Sequence, residues 1–420
     1  MKLSEIVEFN PTTPLRRGTM APFVDMASLP TTERYFQVTE TREFKGSGSK
    51  FRDGDTLLAR ITPCLENGKG GFVRGLGRGV AAHGSTEFIV LRPKKTCDTD
   101  FVYYVTRHPD FRSFAIKQMS GTSGRQRVAW QSLTDYDLVD LTPSERAAIG
   151  SLLSALDDKI ALNRRMNATL EAMARAIFRD WFVDFGPTRA KMEGREPYLA
   201  PDLWPLFPAR LDDQGKPEGW EMGTLGDLIE FNPSEPLKKG TPAPYLNMAA
   251  LPTQGSVADD WLERDFTSGM RFRNGDALLA RITPCLENGK AAFIQSLPEG
   301  SVGWGSTEFI VMRARPPVPK PFSYLVVRHP EFRRHAIKSM SGTSGRQRTN
   351  KEAVEAFPVV IPSEEIWEAF GRIVDPAFDK IRANGEESRT LAQTRDLLLP
   401  RLMSGEIRVA EAEKIVEGGG

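Results

Sequence analysis

The residue types best suited to chemistry form one polar, glycine-rich run, Ser120-Gly121-Thr122-Ser123-Gly124-Arg125-Gln126-Arg127. Glycines let backbone approach a phosphate closely, and hydroxyls donate to phosphate oxygens. Arginine can fork onto guanine O6 and N7, and glutamine can pair bidentately with adenine. The run recurs at 341–348, where Thr343, Ser344, Arg346, Gln347 and Arg348 repeat Thr122, Ser123, Arg125, Gln126 and Arg127. A mobile surface loop would have a similar composition, so that reading stays open. A second set is Arg60, Thr62, Glu66, Asn67 and Lys69, repeated as Arg281, Thr283, Glu287, Asn288 and Lys290. Asparagine could read adenine and glutamate could accept from cytosine N4. Both types also brace turns without touching a ligand. Arg112, Lys117, Arg333 and Lys338 suit phosphates or a solvated face.

Covalent and nucleotide chemistry is poorly supported. A phosphate-binding loop needs Gly-Lys followed by Ser or Thr. Here Asn67-Gly68-Lys69 meets Gly70, and Asn288-Gly289-Lys290 meets Ala291. Asn10-Pro11-Thr12-Thr13 and Asn232-Pro233-Ser234-Glu235 lack the aromatic that would stack on a flipped base. Phe44-Lys45-Gly46-Ser47-Gly48 hints at a methyl-donor loop, but the second copy reads Phe266-Thr267-Ser268-Gly269. Cys64 and Cys285 are conceivable nucleophiles, with His83, His108, His329 and His335 as the available bases. His83 becomes Trp304 in the second copy, whereas His108 and His329 recur, so only the latter pair could serve both cysteines. No paired Cys/His spacing suggests zinc, and no metal site is expected.

Positioning these residues is a matter of duplication. Residues 59–69, Ala-Arg-Ile-Thr-Pro-Cys-Leu-Glu-Asn-Gly-Lys, recur unchanged at 280–290. Residues 84–90 recur at 305–311, and 119–127 at 340–348, all at an offset of 221. Near the start the offset is 222, since Glu8-Phe9-Asn10-Pro11 pairs with Glu230-Phe231-Asn232-Pro233. Repeats this long are duplicated domains, each with its own core. Segments 31–48 and 253–269 diverge, as do 74–83 and 295–304. Short strands bounded by Gly, Pro and Asn dominate each copy, and 101–119 reads as helical around a break at Arg107-His108-Pro109. The copies are taken as two α/β (α+β) recognition domains, 1–142 and 217–361.

Between and after them lie two long helical patterns, 143–185 and 362–406, with a connecting segment at 186–216 and a flexible tail at 407–420. Ile149, Leu153, Leu156, Ile160, Asn163, Asn167, Leu170, Ala174, Ile177 and Trp181 alternate steps of four and three, as in a coiled-coil seam. Adding 221 gives Phe370, Val374, Ala377, Ile381, Asn384, Ser388, Leu391, Arg395, Leu398 and Leu402. Ser144 is the expected N-cap. Pro376 and Gly385 are expected to kink or loosen the second helix. About 40 residues of helix make a rod of about 60 Å. Two domain-plus-helix units pair most simply about a pseudo-twofold axis. The expected fold is therefore two duplicated domains separated by two long antiparallel coiled-coil helices in a pseudo-twofold, circular arrangement.

Composition only bounds the answer. The chain has 420 residues, 40% hydrophobic and 26% charged, with net charge +1. Those values describe a globular protein and are neutral on nucleic acid, which needs a basic face rather than a basic total. No apolar run is long enough to cross a membrane. Three scattered cysteines suit a reducing cytoplasm better than a disulfide framework.

The order domain, helix, domain, helix resembles the specificity subunits of type I restriction–modification systems. The segment from Phe178 to Pro187, with Lys191, Gly194, Leu206-Phe207-Pro208 and Pro217-Glu218-Gly219-Trp220, is similar to that family's central region. The stretch from Leu397 to Ile407 is similar to its distal region. One departure is that the Pro-Glu-Gly-Trp lead at 217–220 has no counterpart before Leu3. The resemblance implies a non-catalytic subunit that reads two short half-sites of double-stranded DNA across a fixed gap. It implies two methylation subunits and restriction subunits as partners. S-adenosylmethionine, ATP and Mg are then expected on those partners, with no cofactor on this chain. A methylation-only system or a stand-alone DNA-binding regulator would fit the same features. If both copies use the same contact residues, the target should approach an interrupted palindrome.

Overall fold

The computed structural model describes residues 1–418 except Ser123, Asp259 and Ser344. The chain divides into two compact units, 1–162 with 387–420, and 163–386. The boundary falls inside both long helices, Pro143–Phe182 and Glu364–Met403, so each unit owns one half of each. Sequence order suggested domains and helices as separate parts. Packing makes each half-pair of helices part of a domain's core.

In the first unit, Val7–Phe9, Phe88–Pro93, Thr56–Ala59 and Gly70–Phe72 form an antiparallel sheet in that order. A second sheet runs Glu40–Glu43, Met20–Val24, Ala82–Gly84, Ser49–Phe51, with its central pair parallel. The other unit repeats both sheets with Ile229–Phe231, Phe309–Ala314, Asp276–Ala280 and Ala291–Phe293, then Leu262–Asp265, Pro242–Leu246, Gly303–Gly305 and Met270–Phe272. Thr56–Ala59 is buried at every position, because helices cover one face and the second sheet the other. The core therefore has two layers. Leu58, Ile89 and Leu91 pack with Phe101, Phe111 and the helix residues Leu153, Leu398 and Leu402, while Leu57, Val90, Phe51 and Val24 fill the space between sheets. The same layers recur around Leu279 and Ile310, and around Leu278 and Val311.

The expected helical stretch is two helices, Thr99–Arg107 and Pro109–Lys117, separated at His108. Where Thr99–Arg107 meets the long helix, Gly150 is required: a Cβ there would lie 2.8 Å from Phe101 N and 2.9 Å from Asp100 Cβ.

The helix halves run antiparallel within each unit. In the second, buried Asn163 donates from Nδ2 to Asn384 O at 3.4 Å, and Asn384 donates to Asn167 Oδ1 at 2.8 Å. In the first, Arg395 pairs with Asp157 at 2.5 Å and Lys159 with Glu387 at 3.3 Å.

Two expectations need correction. The cap of the first long helix is Thr142, not Ser144: Glu145 N–H donates to Thr142 Oγ1 at 3.2 Å, and Glu145 Oε2 accepts from Thr142 N–H at 2.8 Å. Pro143 takes the first helical position, where its missing N–H costs nothing, so the reciprocal box forms one residue earlier. The second helix runs continuously through Pro376 and Gly385. An interior proline costs about 3 kcal/mol, but Phe370, Val374, Phe378 and Ile381 are all fully buried beside it, each contributing about 1.5–3 kcal/mol. The tail holds a helix, Val409–Gly418, whose Ala412 is buried in the first unit's core.

Candidate nucleic-acid interface

Each unit brings the two sequence-predicted sets together. The strand Thr56–Ala59 delivers Arg60 into a tight turn. Leu65 N–H donates to Ile61 O at 3.0 Å, Asn67 N–H to Pro63 O at 2.9 Å, and Lys69 N–H to Cys64 O at 2.9 Å. Leu65 is buried and anchors the turn, while Glu66 and Asn67 stand exposed. Gly68 has φ 72°, and a Cβ there would come within 2.9 Å of Arg112 Nη1. The second copy repeats each bond from Ile282 to Lys290 at the same lengths.

The glycine-rich run leaves the ladder Met119–Ser120 with Arg127–Val128 and folds back onto this turn. Ile61 bridges to Arg127, and Val128 N–H donates to Arg60 O at 2.9 Å. Thr62 N–H donates to Gln126 O at 3.0 Å, and Gln126 N–H returns to Thr62 Oγ1 at 3.0 Å. Ile282 with Arg348, and Thr283 with Gln347, repeat the arrangement. Two segments about 60 residues apart in sequence thus make one surface, twice.

Its side chains divide by role. Thr122, Arg125, Asn67 and their counterparts Thr343, Arg346 and Asn288 are exposed, and Gln126 and Gln347 are half-buried. Arg127 is held bidentately by Glu87, with Nη2 2.7 Å from Oε1 and Nε 3.0 Å from Oε2. Arg348 and Glu308 repeat this, and the Arg348 hydrogen bond holds the Glu308 carboxyl below its ordinary range. Lys69 donates to Met26 O and Lys290 to Met248 O, both at 2.8 Å. Arg60 and Arg281 are half-buried, and the Nε of each is enclosed without a hydrogen-bond partner. Arg127, Arg348, Lys69 and Lys290 therefore brace the surface, while Arg125, Arg346, Gln126, Gln347, Asn67 and Asn288 present its donors and acceptors. Ser123 and Ser344 lie outside the described residues. Four cations, Arg60, Lys69, Arg125 and Arg127, stand against two carboxylates, Glu66 and Glu87, and the second copy keeps that ratio.

Sequence reasoning missed Glu87 and Glu308 as anchors, although both sit inside the repeated Gly-Ser-Thr-Glu-Phe string. It also missed Arg107 and Arg328. Arg107 donates to Gly68 O at 2.7 Å, and Arg328 to Gly289 O at 2.6 Å and Ala291 O at 2.9 Å, clamping the turn from behind.

Several of the remaining candidates for chemistry have structural roles. Asn10 and Asn232 adopt positive φ, 46° and 53°, and each side chain accepts from a strand amide, Val90 or Val311, at 2.9 Å. His83 lies 3.1 Å from Arg42 O and His335 2.8 Å from Ala353 O through Nε2. His108 Nδ1 accepts from Asp110 N–H at 3.2 Å, capping a helix. Cys64, Cys97 and Cys285 are free thiols. No helix among the described residues is long and apolar enough to cross a membrane.

No family model matches the chain. It is 24% identical to the Haemophilus influenzae type I restriction enzyme HindI specificity subunit, covering 88% of this chain and 90% of that one. It is 25% identical to the Methanocaldococcus jannaschii MjaIX specificity subunit, over 76% and 71% of the two chains. Over most of its length the chain is thus similar to specificity subunits of type I restriction enzymes. The fold agrees: a solved type I S subunit from M. genitalium superposes with a TM-score of 0.52 at 14% identity, over 96% of this chain and 95% of that one.

Proposed function

We propose that this chain is the non-catalytic DNA-recognition subunit of a type I restriction–modification complex. One observation carries the reading: the same contact surface, built from 60–69 with 120–127, is assembled a second time from 281–290 with 341–348. A chain with two equivalent surfaces suits a bipartite duplex target. Arg125 and Arg346 would fork onto guanine, Gln126 and Gln347 would pair with adenine, and Asn67 and Asn288 would read base edges or hold the duplex. Thr122 and Thr343 would donate to phosphate. Two methylation subunits and the restriction subunits would assemble on the chain. S-adenosylmethionine, ATP and Mg would be held by those partners.

The test is sequencing of modified bases in cells that express the chain with its neighbouring methylation subunit. A bipartite N6-methyladenine motif should appear, and should vanish without this chain. No new methylation, with the two subunits shown to be folded and associated, would overturn the proposal. A Cys64→Ser, Cys285→Ser double variant should methylate normally. Loss of function in that variant, with DNA binding intact, would point instead to a cysteine enzyme.

A further inference from the structure

Each unit carries a second cationic feature, on its other sheet. Arg16-Arg17-Gly18-Thr19 turns into Met20–Val24, and Lys238-Lys239-Gly240-Thr241 turns into Pro242–Leu246. Both tips close alike. Gly18 N–H donates to Phe44 O at 2.9 Å and Phe44 N–H to Thr19 O at 2.9 Å; for Gly240, Phe266 and Thr241 the lengths are 2.8 and 2.9 Å. Gly18 and Gly240 have φ 87° and 84°. A third cation lies nearby on another strand of the same sheet: Lys50 is 5.9 Å from the Phe44 ring, and Arg271 is 5.9 Å from the Phe266 ring.

The tip cations differ from those of the contact surface. Arg16, Arg17, Lys238 and Lys239 are exposed, and among the described residues none has an ion-pair partner. Glu43 and Asp265, paired in register with Met20 and Pro242, each stand against three cations, and Lys45 adds a fourth in the first copy.

The duplication shows which property is kept. Segments 31–41 and 253–263 beside the tips have diverged. Yet Arg16 and Arg17 become Lys238 and Lys239, while Lys50 becomes Arg271. Arginine and lysine are not interchangeable where a planar fork reads a base or a carboxylate. They are interchangeable as positive charges beside a phosphate backbone. Exchange in both directions at fixed positions keeps charge and discards fork geometry. The distance also suits a duplex. The strand of five residues leading from each tip is about 16 Å long. It ends where Val24 pairs with Gly84, or Leu246 with Gly305, three residues before Glu87 or Glu308. That length covers about five nucleotides at about 3.4 Å each along one strand.

We propose that Arg16, Arg17 and Lys50, and likewise Lys238, Lys239 and Arg271, form a phosphate clamp in each unit, gripping the DNA backbone beside the bases read by the contact surface without reading sequence. The inference rests on the DNA-recognition reading, and its test separates the two.

The full chain in complex with its methylation subunit is titrated against a duplex carrying the mapped target and against an unrelated duplex, over a range of salt. The variant carries alanine at all six positions. Its slope of log K against log salt should fall by about 0.9 for each phosphate that is no longer neutralised. Both duplexes should weaken by the same factor, and the mapped motif should not change. A charge-preserving set, Arg16→Lys, Arg17→Lys, Lys50→Arg, Lys238→Arg, Lys239→Arg and Arg271→Lys, should behave as the parent. If the parent binds the target but the alanine variant keeps its affinity and slope, the clamp is overturned and recognition stands. If the alanine variant loses only the target duplex, the tips read bases and the clamp is again overturned. If the folded parent complex binds neither duplex, recognition and clamp fall together.

Discussion

Thr62 Oγ1 accepts the backbone N–H of Gln126 at 3.0 Å, and Thr283 Oγ1 accepts that of Gln347 at 3.1 Å. The bond joins a turn to a loop that approaches it from about 60 residues away, so it orients a side chain in each copy that suits adenine. Thr62→Val keeps the shape and removes the acceptor, leaving an amide that costs about 1–3 kcal/mol if it stays unpaired. The Gln126 amide should exchange with solvent faster, and methylation of one half-site should drop. Unchanged exchange at Gln126 would show that other bonds hold the loop.

Arg127 looks from sequence like a base reader, yet it forks onto Glu87. Glu87→Gln should therefore reproduce the binding loss of Arg127→Ala, because either change releases the loop. If Glu87→Gln instead tightened target binding, Arg127 would be a base reader restrained by its carboxylate. Competition binding with target and unrelated duplexes distinguishes these outcomes.

Gln126→Ala and Gln347→Ala should each relax one base position in one half-site, at about 1–3 kcal/mol of discrimination for a bidentate pair. The parent motif should share bases between half-sites, since both surfaces carry the same side chains. Motif mapping of parent and single variants checks both statements. Two unrelated half-sites in the parent would refute shared readout.

Gly150 and its counterpart Gly371 separate a packing effect from helix propensity. Either change to alanine gains up to about 1 kcal/mol of propensity. At Gly150 the new methyl meets Phe101 backbone at 2.8 Å, whereas at Gly371 the nearest atom is Pro319 Cγ at 3.1 Å. Gly150→Ala should be net destabilising, since overpacking costs about 1–3 kcal/mol, and Gly371→Ala near neutral. Urea denaturation of the two variants would refute this if their order were reversed.

Burial holds the imidazoles of His108 and His329 below their ordinary value of 6.5. The folded chain therefore takes up these protons at lower pH than the unfolded chain. The stability linked to them is present above 6.5 and is lost as pH falls through the depressed folded values. The denaturation midpoint should drop between about pH 7.5 and about pH 5. His108→Asn with His329→Asn, which retains an N-cap residue type, should flatten that part of the profile. An unaltered slope in the double variant would assign it to other groups.

The sequence by itself determined the duplication, the family resemblance, the seam from Ile149 to Trp181 and the two segments that meet at each contact surface, because repeats and heptads are written in order along the chain. The tertiary structure alone decided which side chains at that surface are engaged. Arg125 and Arg127 are indistinguishable as letters two residues apart; only the placement of Glu87, 40 residues earlier, makes one a brace and leaves the other exposed. It also decided that each domain is completed by halves of both long helices, because burying Leu153 and Leu398 in one core requires a partner more than 200 residues away. The cations at Arg16 and Lys238 were visible as letters throughout, but their exposure and, among the described residues, their lack of ion-pair partners are properties of packing that no local pattern encodes.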